Sequence, residues 1–367
     1  MHKFFTSSFD ASIYLQQPDQ NAGRDEMLEV GKLYYGSNEV ASAKDIARTL
    51  IKFNTGSIKS EITSIVTGSY SVFLNLKVAK SEEIPLQYTL YANAVSQSWT
   101  MGTGTKFDNI TTDGVSWYYK DGINRWMNYT VTPNSYVSGS DTGSISNGGG
   151  GTWYTASMAS QSFDYEMDDV RMDVTNLVKL WVSGSVPNNG FVVHHSLSAE
   201  NDTLDYGVIK FFSKETGTIY EPKLELVWDD SLFSTGSLTQ VTGSAQEGYK
   251  VVVSNLKNKY VTNTKAKIRL KGRDMYPLKS FGTTFAYDQV KYLPSGSTYY
   301  QIEDYITGEA IFPFGNYTKV SCDLTSNYFI MDLSTLPINR TYRLKIKIIE
   351  SGITTIVDDK YIFEIVS

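Results

Sequence analysis

Short apolar-rich, strand-like stretches separated by polar turn residues run almost from end to end of this chain. Ser12 to Leu15, Thr49 to Phe53, Tyr70 to Val78, Gln87 to Tyr91, Gly190 to His194 and Val208 to Phe212 are short and rich in β-branched or aromatic residues. Gly, Ser, Asn or Asp bound each of them, which predicts strands. The same texture resumes at Val251 to Val253, Ala266 to Leu270, Tyr328 to Met331, Thr354 to Val357 and Tyr361 to Val366. Tyr342 to Ile349 alternates apolar with basic residues, the mark of a half-buried strand. Helical spacing is scarce. Val174, Leu177, Val178 and Trp181 predict one short helix near 173–182, capped by Asp173 or Thr175 and closed by Gly184. Ala43 to Ala47 reads as a brief helical turn.

This pattern predicts an all-β protein of two consecutive β-sandwich domains. The polar, small-residue stretch after Trp228 separates them, giving domains 1–230 and 238–367 joined by a linker at 231–237. The second is immunoglobulin-like in strand spacing only, since the Cys-Trp-Cys signature is absent. Pro133 to Gly151 is rich in Ser, Gly and Asn and reads as a long mobile hairpin or crossover loop. A phosphate cradle needs a following helix with Lys-Ser or Lys-Thr, and Thr152-Trp153-Tyr154 does not supply it.

Composition narrows the chemistry. The 26 Tyr, 17 Phe and 6 Trp suit strands and contact surfaces. A net charge of -6 is the wrong sign for a general nucleic-acid binder. Cys322 is the single cysteine, so no intrachain disulfide forms, and no apolar run reaches signal-peptide or transmembrane length. These features predict a chain folded in a reducing cytoplasm, without membrane insertion.

Candidate site residues are few. His194 and His195 are adjacent on a strand and point to opposite faces, one towards the core edge and one to solvent, so they do not share a metal. Alternation places Asp164, Glu166 and Asp168 on one face; a solvated strand edge is one reading and a structural calcium site the other. Trp117, Tyr118, Tyr119, Trp153 and Tyr154 flank the glycine-rich loop as candidate exposed platforms, for a neighbouring subunit or a sugar, with core packing as the competing reading. Gly-x-Ser-x-Gly patterns in a strand-to-helix context are lacking, and no catalytic residue is assigned.

Residues 9 to about 228 resemble the DNRLRE-type domain, a jelly-roll-like sandwich related to carbohydrate-binding modules. The resemblance rests on motifs in order: Phe9 to Tyr14, Asn21-Ala22-Gly23, Leu28-Glu29-Val30-Gly31, Ala47 to Asn54 and Ser98 to Gly104. It continues through Gly122 to Trp126, Gly149 to Gly151, Asp173 to Trp181, Asn189 to Val193, Phe212 to Glu215 and Glu221 to Leu224. The family's acidic residue after Trp-Thr is Met101 here. The resemblance implies that Trp99, Trp126 and Trp181 fill the core and that Arg48 pairs with a carboxylate, and it transfers no active site. Through Tyr299 to Asp304, Phe314 to Asp323 and Asn339 to Leu344, residues 238–367 resemble accessory sandwich domains of tailed-phage structural proteins.

A surface-type sandwich made in the cytoplasm fits a virion part. The expected role is a non-enzymatic structural component of a tailed-phage virion, at tail, neck, baseplate, fibre attachment or head decoration. Its partners are then other virion proteins and copies of itself. The alternative is a glycan-binding adhesion module that recognises cell-surface glycans through the exposed aromatics. A glycosidase is a distant third reading, because it requires two carboxylates across a groove.

Overall fold

The computed structural model describes residues 1–35, 44–65, 68–126, 136–138, 149–164, 169–276 and 289–367. The chain divides into two compact units. The larger comprises Phe4–Ser64 and Ser71–Leu226; the smaller comprises Met1–Lys3, Ile65–Tyr70 and Val227–Ser367.

Up to Val227 the described strands are β1 (His2–Thr6), β2 (Phe9–Tyr14), β3 (Met27–Tyr34), β4 (Lys44–Lys52), β5 (Ser71–Leu76), β6 (Val78–Glu82), β7 (Gln87–Val95), β8 (Tyr136–Ser138), β9 (Thr152–Asp164), β10 (Val170–Asp173), β11 (Phe191–His194), β12 (Gly207–Phe212) and β13 (Lys223–Val227). They form a four-stranded sheet in the order β1-β13-β5-β10 and a nine-stranded sheet in the order β6-β12-β3-β4-β11-β7-β9-β8, with β2 also on β4. The nine-stranded sheet is antiparallel throughout. Ala11, Ile13, Ile46, Leu50, Val95 and Val192 turn one face of it against Trp99, Met101, Val115, Trp117, Trp126 and Trp153 in a single buried cluster. The strands supply one side of this cluster, and residues outside any strand, Trp99, Met101, Val115, Trp117 and Trp126, supply much of the other.

Among the described residues three α-helices interrupt the strands: α1 (Thr55–Ser64), α2 (Thr175–Ser183) and α3 (Leu197–Asn201). The helix expected near 173–182 is α2. Leu177, Val178 and Trp181 are its buried stripe, and Gly184 ends it in the left-handed region at φ 78°. Asp173 Oδ1 accepts the Thr175 amide at 2.9 Å, just ahead of the first turn. The helical turn expected at Ala43 to Ala47 is corrected: Ala43 lies outside the described residues, and Lys44 to Ala47 open strand β4, paired with β3. Its pairing with β3, Lys44 opposite Tyr34 through Ala47 opposite Gly31, fixes the segment as strand and not as a single helical turn.

The smaller unit adds β14 (Tyr249–Val253), β15 (Lys259–Val261), β16 (Lys265–Asp274), β17 (Thr298–Asp304), β18 (Ala310–Phe312), β19 (Ser321–Cys322), β20 (Asn327–Asp332), β21 (Arg340–Glu350) and β22 (Ile353–Val366). These make a four-stranded sheet, β14-β16-β20-β19, and a five-stranded one, β15-β22-β21-β17-β18. The first is antiparallel; in the second only β15 runs parallel to its neighbour, β22. The 231–237 stretch is hydrogen-bonded into this unit, with Ser234 N donating to Cys322 O at 3.0 Å and Leu232 N to Ser321 Oγ at 3.1 Å. The protein is thus mostly β, built of several antiparallel sheets. Among the described residues no helix is long and apolar enough to cross a membrane.

Candidate functional site

Arg48 points from β4 into the interior of the larger unit and is fully buried. Its Nε donates to Glu200 Oε1 at 3.0 Å, its Nη2 to Glu200 Oε2, and its Nη1 to Gly150 O at 2.6 Å. The guanidinium lies between two indoles, 4.6 Å from the Trp117 ring centre and 5.2 Å from that of Trp153. Glu200 is positioned by α3, whose first turn is capped by Ser196 Oγ accepting the Ala199 amide. Gly149 lets the chain close over this cage, because a Cβ there would lie 2.8 Å from Trp117 Cδ1 and Nε1. The end of the glycine run is therefore buried against an indole rather than part of a free loop.

The exposed platforms expected at Trp117 and Trp153 are corrected, since these side chains are 0% and 2% exposed. Their faces are occupied by Arg48, and burying an unpaired guanidinium would cost more than burying it between aromatic rings. Tyr118, Tyr119 and Tyr154 are half-buried. Arg125 stacks within about 5 Å of the Tyr118 and Tyr119 ring centres, at 5.0 and 5.1 Å. Of the acidic trio, Asp164 is exposed at the end of β9; Glu166 and Asp168 lie outside the described residues. Trp99, Trp126 and Trp181 are buried, at 6%, 0% and 4%.

The expectation that one of the paired histidines faces solvent is also corrected: His194 and His195 are 3% and 1% exposed. His194 follows the pleat, with Nε2 3.1 Å from Asn93 Oδ1 and Trp153 at 4.8 Å between ring centres. His195 lies just beyond β11 and packs on Tyr206 at 5.3 Å. Burial lowers both pKa values from 6.5 to about 4, against the pull of the Glu200 carboxylate; Arg48 lowers that of His194 further. Asp10 is shifted the other way. Its burial raises the carboxyl to about 6, although Oδ2 accepts the Lys214 amide at 2.9 Å, and Oδ1 has no hydrogen-bond partner.

These shifts set a pH dependence. The native state binds fewer protons than the unfolded chain at the two histidines between about pH 4 and 6.5. Their stabilising contribution is complete above 6.5 and is lost as pH falls through that window. Asp10 opposes this, because its native form gains a proton between about pH 6 and 3.8 and so stabilises on acidification. The two histidines and Asp10 together predict a drop of about 2–3 kcal/mol between pH 7 and pH 5, which the raised carboxyls of Asp25, Asp45 and Glu221 reduce. Urea titrations across this range test it; a flat or rising profile contradicts the assignment.

A second feature is a loop layer running from Trp99 to Trp126, clamped by Asn21. Asn21 is 0% exposed. Its Nδ2 donates to Met101 O and Val115 O, both at 2.7 Å, and its Oδ1 accepts from Gly23 N at 3.2 Å and Gly104 N at 2.8 Å. That uses the whole capacity of a side-chain amide. Gly102, at φ 80°, passes so close that a Cβ would lie 2.4 Å from Asn21 Oδ1. Phe107, Ile110 and Ile123 protrude from this layer and are 84%, 75% and 82% exposed. None of these three was singled out from the sequence, where isolated apolar residues among Thr, Asp and Asn carry no periodic signal.

Among the described residues no group of three or more His, Cys, Asp or Glu side chains is arranged to hold a metal ion. Cys322 is buried, and burial raises its thiol to about 11, far from a reactive thiolate at neutral pH. Comparison of the chain with protein-family models, with curated proteins and with solved structures gives no match, so residues and geometry alone carry the functional argument.

Proposed function

We propose that this chain is a non-enzymatic structural component of a tailed-phage virion, acting through contacts with other virion subunits and copies of itself. The larger unit then serves as a jelly-roll-like sandwich and the smaller as an immunoglobulin-like one. The observation that carries the proposal is the clamped loop layer. Asn21 holds residues 101–115 from within, while Phe107, Ile110 and Ile123 point outward. Apolar side chains on a pre-ordered loop lose little conformational freedom on docking, which favours stable association. Arg48, Glu200, His194 and His195 are enclosed in the interior, where they serve packing rather than turnover. The glycan-binding alternative loses its two tryptophan faces to Arg48.

Sedimentation velocity tests the role. The parent chain, alone or with purified particle proteins, is expected to assemble. A Phe107→Ser, Ile110→Ser, Ile123→Ser variant should stay folded and associate at least about tenfold more weakly, because exposed interface anchors contribute about 1 kcal/mol or more each. Equal association by both proteins would sink the proposal.

A further inference from the structure

The five-stranded sheet of the smaller unit has one edge left open. β15 pairs with β22 only from Glu364 to Val366, and among the described residues no strand pairs with Ile353 to Val357 on the side away from β21. That stretch is Ile-Thr-Thr-Ile-Val, β-branched throughout and without a charge. Ile353 and Ile356 are 56% and 55% exposed. The β21–β22 turn consists of Ser351 and Gly352 alone, both at positive φ, so the turn adds no loop to shield the edge. Edge strands are ordinarily kept short or charged, because their unpaired backbone groups template pairing with another chain. Other edges of the described sheets follow that rule: β18 and β19 have three and two residues, β6 carries Lys80 and Glu82, and β14 carries Lys250. In β22 such protection starts only after Val357. Leu344 opposes Tyr361 while Ile346 opposes Val357, so the strand bulges at 358–360, where Asp358 Oδ1 accepts from Arg343 Nε at 2.8 Å.

The register settles which backbone groups face outward. Ile349 N donates to Ser297 O at 2.9 Å, beside β17, so the hydrogen-bonding groups of Ile349 turn away from β22. Thr354 lies directly opposite Ile349, and Ile356 opposite Lys347. In an antiparallel pair, hydrogen-bonded and non-hydrogen-bonded positions alternate. Thr354 and Ile356 therefore direct their N–H and C=O groups to the open edge, while Ile353, Thr355 and Val357 direct theirs to β21.

From this edge we infer that β22 pairs antiparallel with β22 of a second copy of the chain, about a two-fold axis at Thr355. Only residues with outward-facing groups can bond each other across the seam. An axis at Thr355 meets that condition, because it places Thr354 opposite the partner's Ile356 and the reverse, each pair exchanging both of its N–H···O bonds. Ile353 falls opposite the partner's Val357 and Thr355 opposite the partner's Thr355, so every cross-strand pair is β-branched. No like charges meet, since Asp358 falls opposite Gly352 at the partner's turn. An axis at Thr354 or Ile356 would bring Gly352 or Asp358 into the pairing instead. The edge is thus complementary to itself, as an isologous contact requires. The contact uses none of Phe107, Ile110 and Ile123 and does not rest on the virion role. A strand pair this short buries less than a standard interface, which sets the expected dissociation constant on the order of 10–100 µM.

Sedimentation velocity on the full chain tests it, in the Phe107→Ser, Ile110→Ser, Ile123→Ser background so that the loop tips contribute nothing. A monomer–dimer equilibrium in that concentration range is expected. Thr354→Pro removes an outward N–H and leaves the bonds to β21 in place, so it should weaken dimerisation at least about tenfold, because symmetry removes the bond twice. Ile356→Lys puts a charge on the same edge without touching the backbone and should act likewise. Cross-linking reads the register. Thr355→Cys should give a disulfide-linked dimer on mild oxidation and Ile353→Cys should not, since only Thr355 faces its own copy. Cys322 is buried and stays out of the reaction. A monomer at roughly 500 µM, undiminished dimerisation in both Thr354→Pro and Ile356→Lys, or a disulfide at Ile353→Cys in place of Thr355→Cys would overturn the inference. So would Thr354 and Ile356 amides that gain exchange protection only when purified particle proteins are added, because the edge would then take another chain's strand.

Discussion

Arg48→Met is expected to destabilise the larger unit by about 3–5 kcal/mol, because it strands the buried Glu200 carboxylate without its counter-ion. The pair has the geometry in which such a loss is greatest. Both side chains are almost wholly buried, the guanidinium meets the carboxylate with two nitrogens, and a third hydrogen bond holds the Gly150 carbonyl. Arg48→Lys should also be poorly tolerated, since an ammonium supplies neither the two-pronged contact nor the planar face between Trp117 and Trp153. The double variant Arg48→Met, Glu200→Leu should recover much of the loss, because two apolar side chains remove the stranded charge instead of exposing it. Urea denaturation of the two single variants and the double closes a thermodynamic cycle. A coupling near zero would mean that the cage is packing alone. Near-equal losses in the singles with substantial recovery in the double would mean that the ion pair organises it.

How much of this was visible in the sequence depends on how local each cause is. Strands β12 and β21 were legible because alternation on a pleated surface needs no distant partner. Helix α2 was legible for the same reason, with its stripe and Gly184 all within about three turns, although its N-cap is Val174 and not the expected Asp173 or Thr175. Helix α1 was not. Only Ile58 is buried in Thr55-Gly56-Ser57-Ile58-Lys59-Ser60-Glu61-Ile62-Thr63-Ser64, so it shows almost no stripe. The site was mostly hidden. Arg48 and Glu200 are separated by 152 positions, and nothing in the sequence around either names the other. Trp117 and Trp153 looked like exposed platforms because each is followed by tyrosine beside a glycine-rich stretch. What buries them is a cation from a strand remote in sequence.

Asn21→Ala is expected to cost about 3–5 kcal/mol, a loss as large as that of a core residue although no apolar surface is involved. It leaves two buried amides, Gly23 N and Gly104 N, and two carbonyls, Met101 O and Val115 O, without the partner that now meets all four. Asn21→Asp should be at least as harmful at neutral pH, because a carboxylate oxygen then faces the Met101 and Val115 carbonyls where a donor stood. It should recover in part on acidification, when a protonated carboxyl can donate to one of them. The loss is also expected to be local. Amide exchange at Gly23 and Gly104 should accelerate and the 102–114 stretch should become open to proteolysis, while β11 and β12 remain protected. Global unfolding with uniform loss of protection would mean that the loop layer is part of the core's cooperative unit. Local opening with subunit association abolished would tie the clamp to the proposed role, because Phe107 and Ile110 would remain present in the chain but would no longer be held in place.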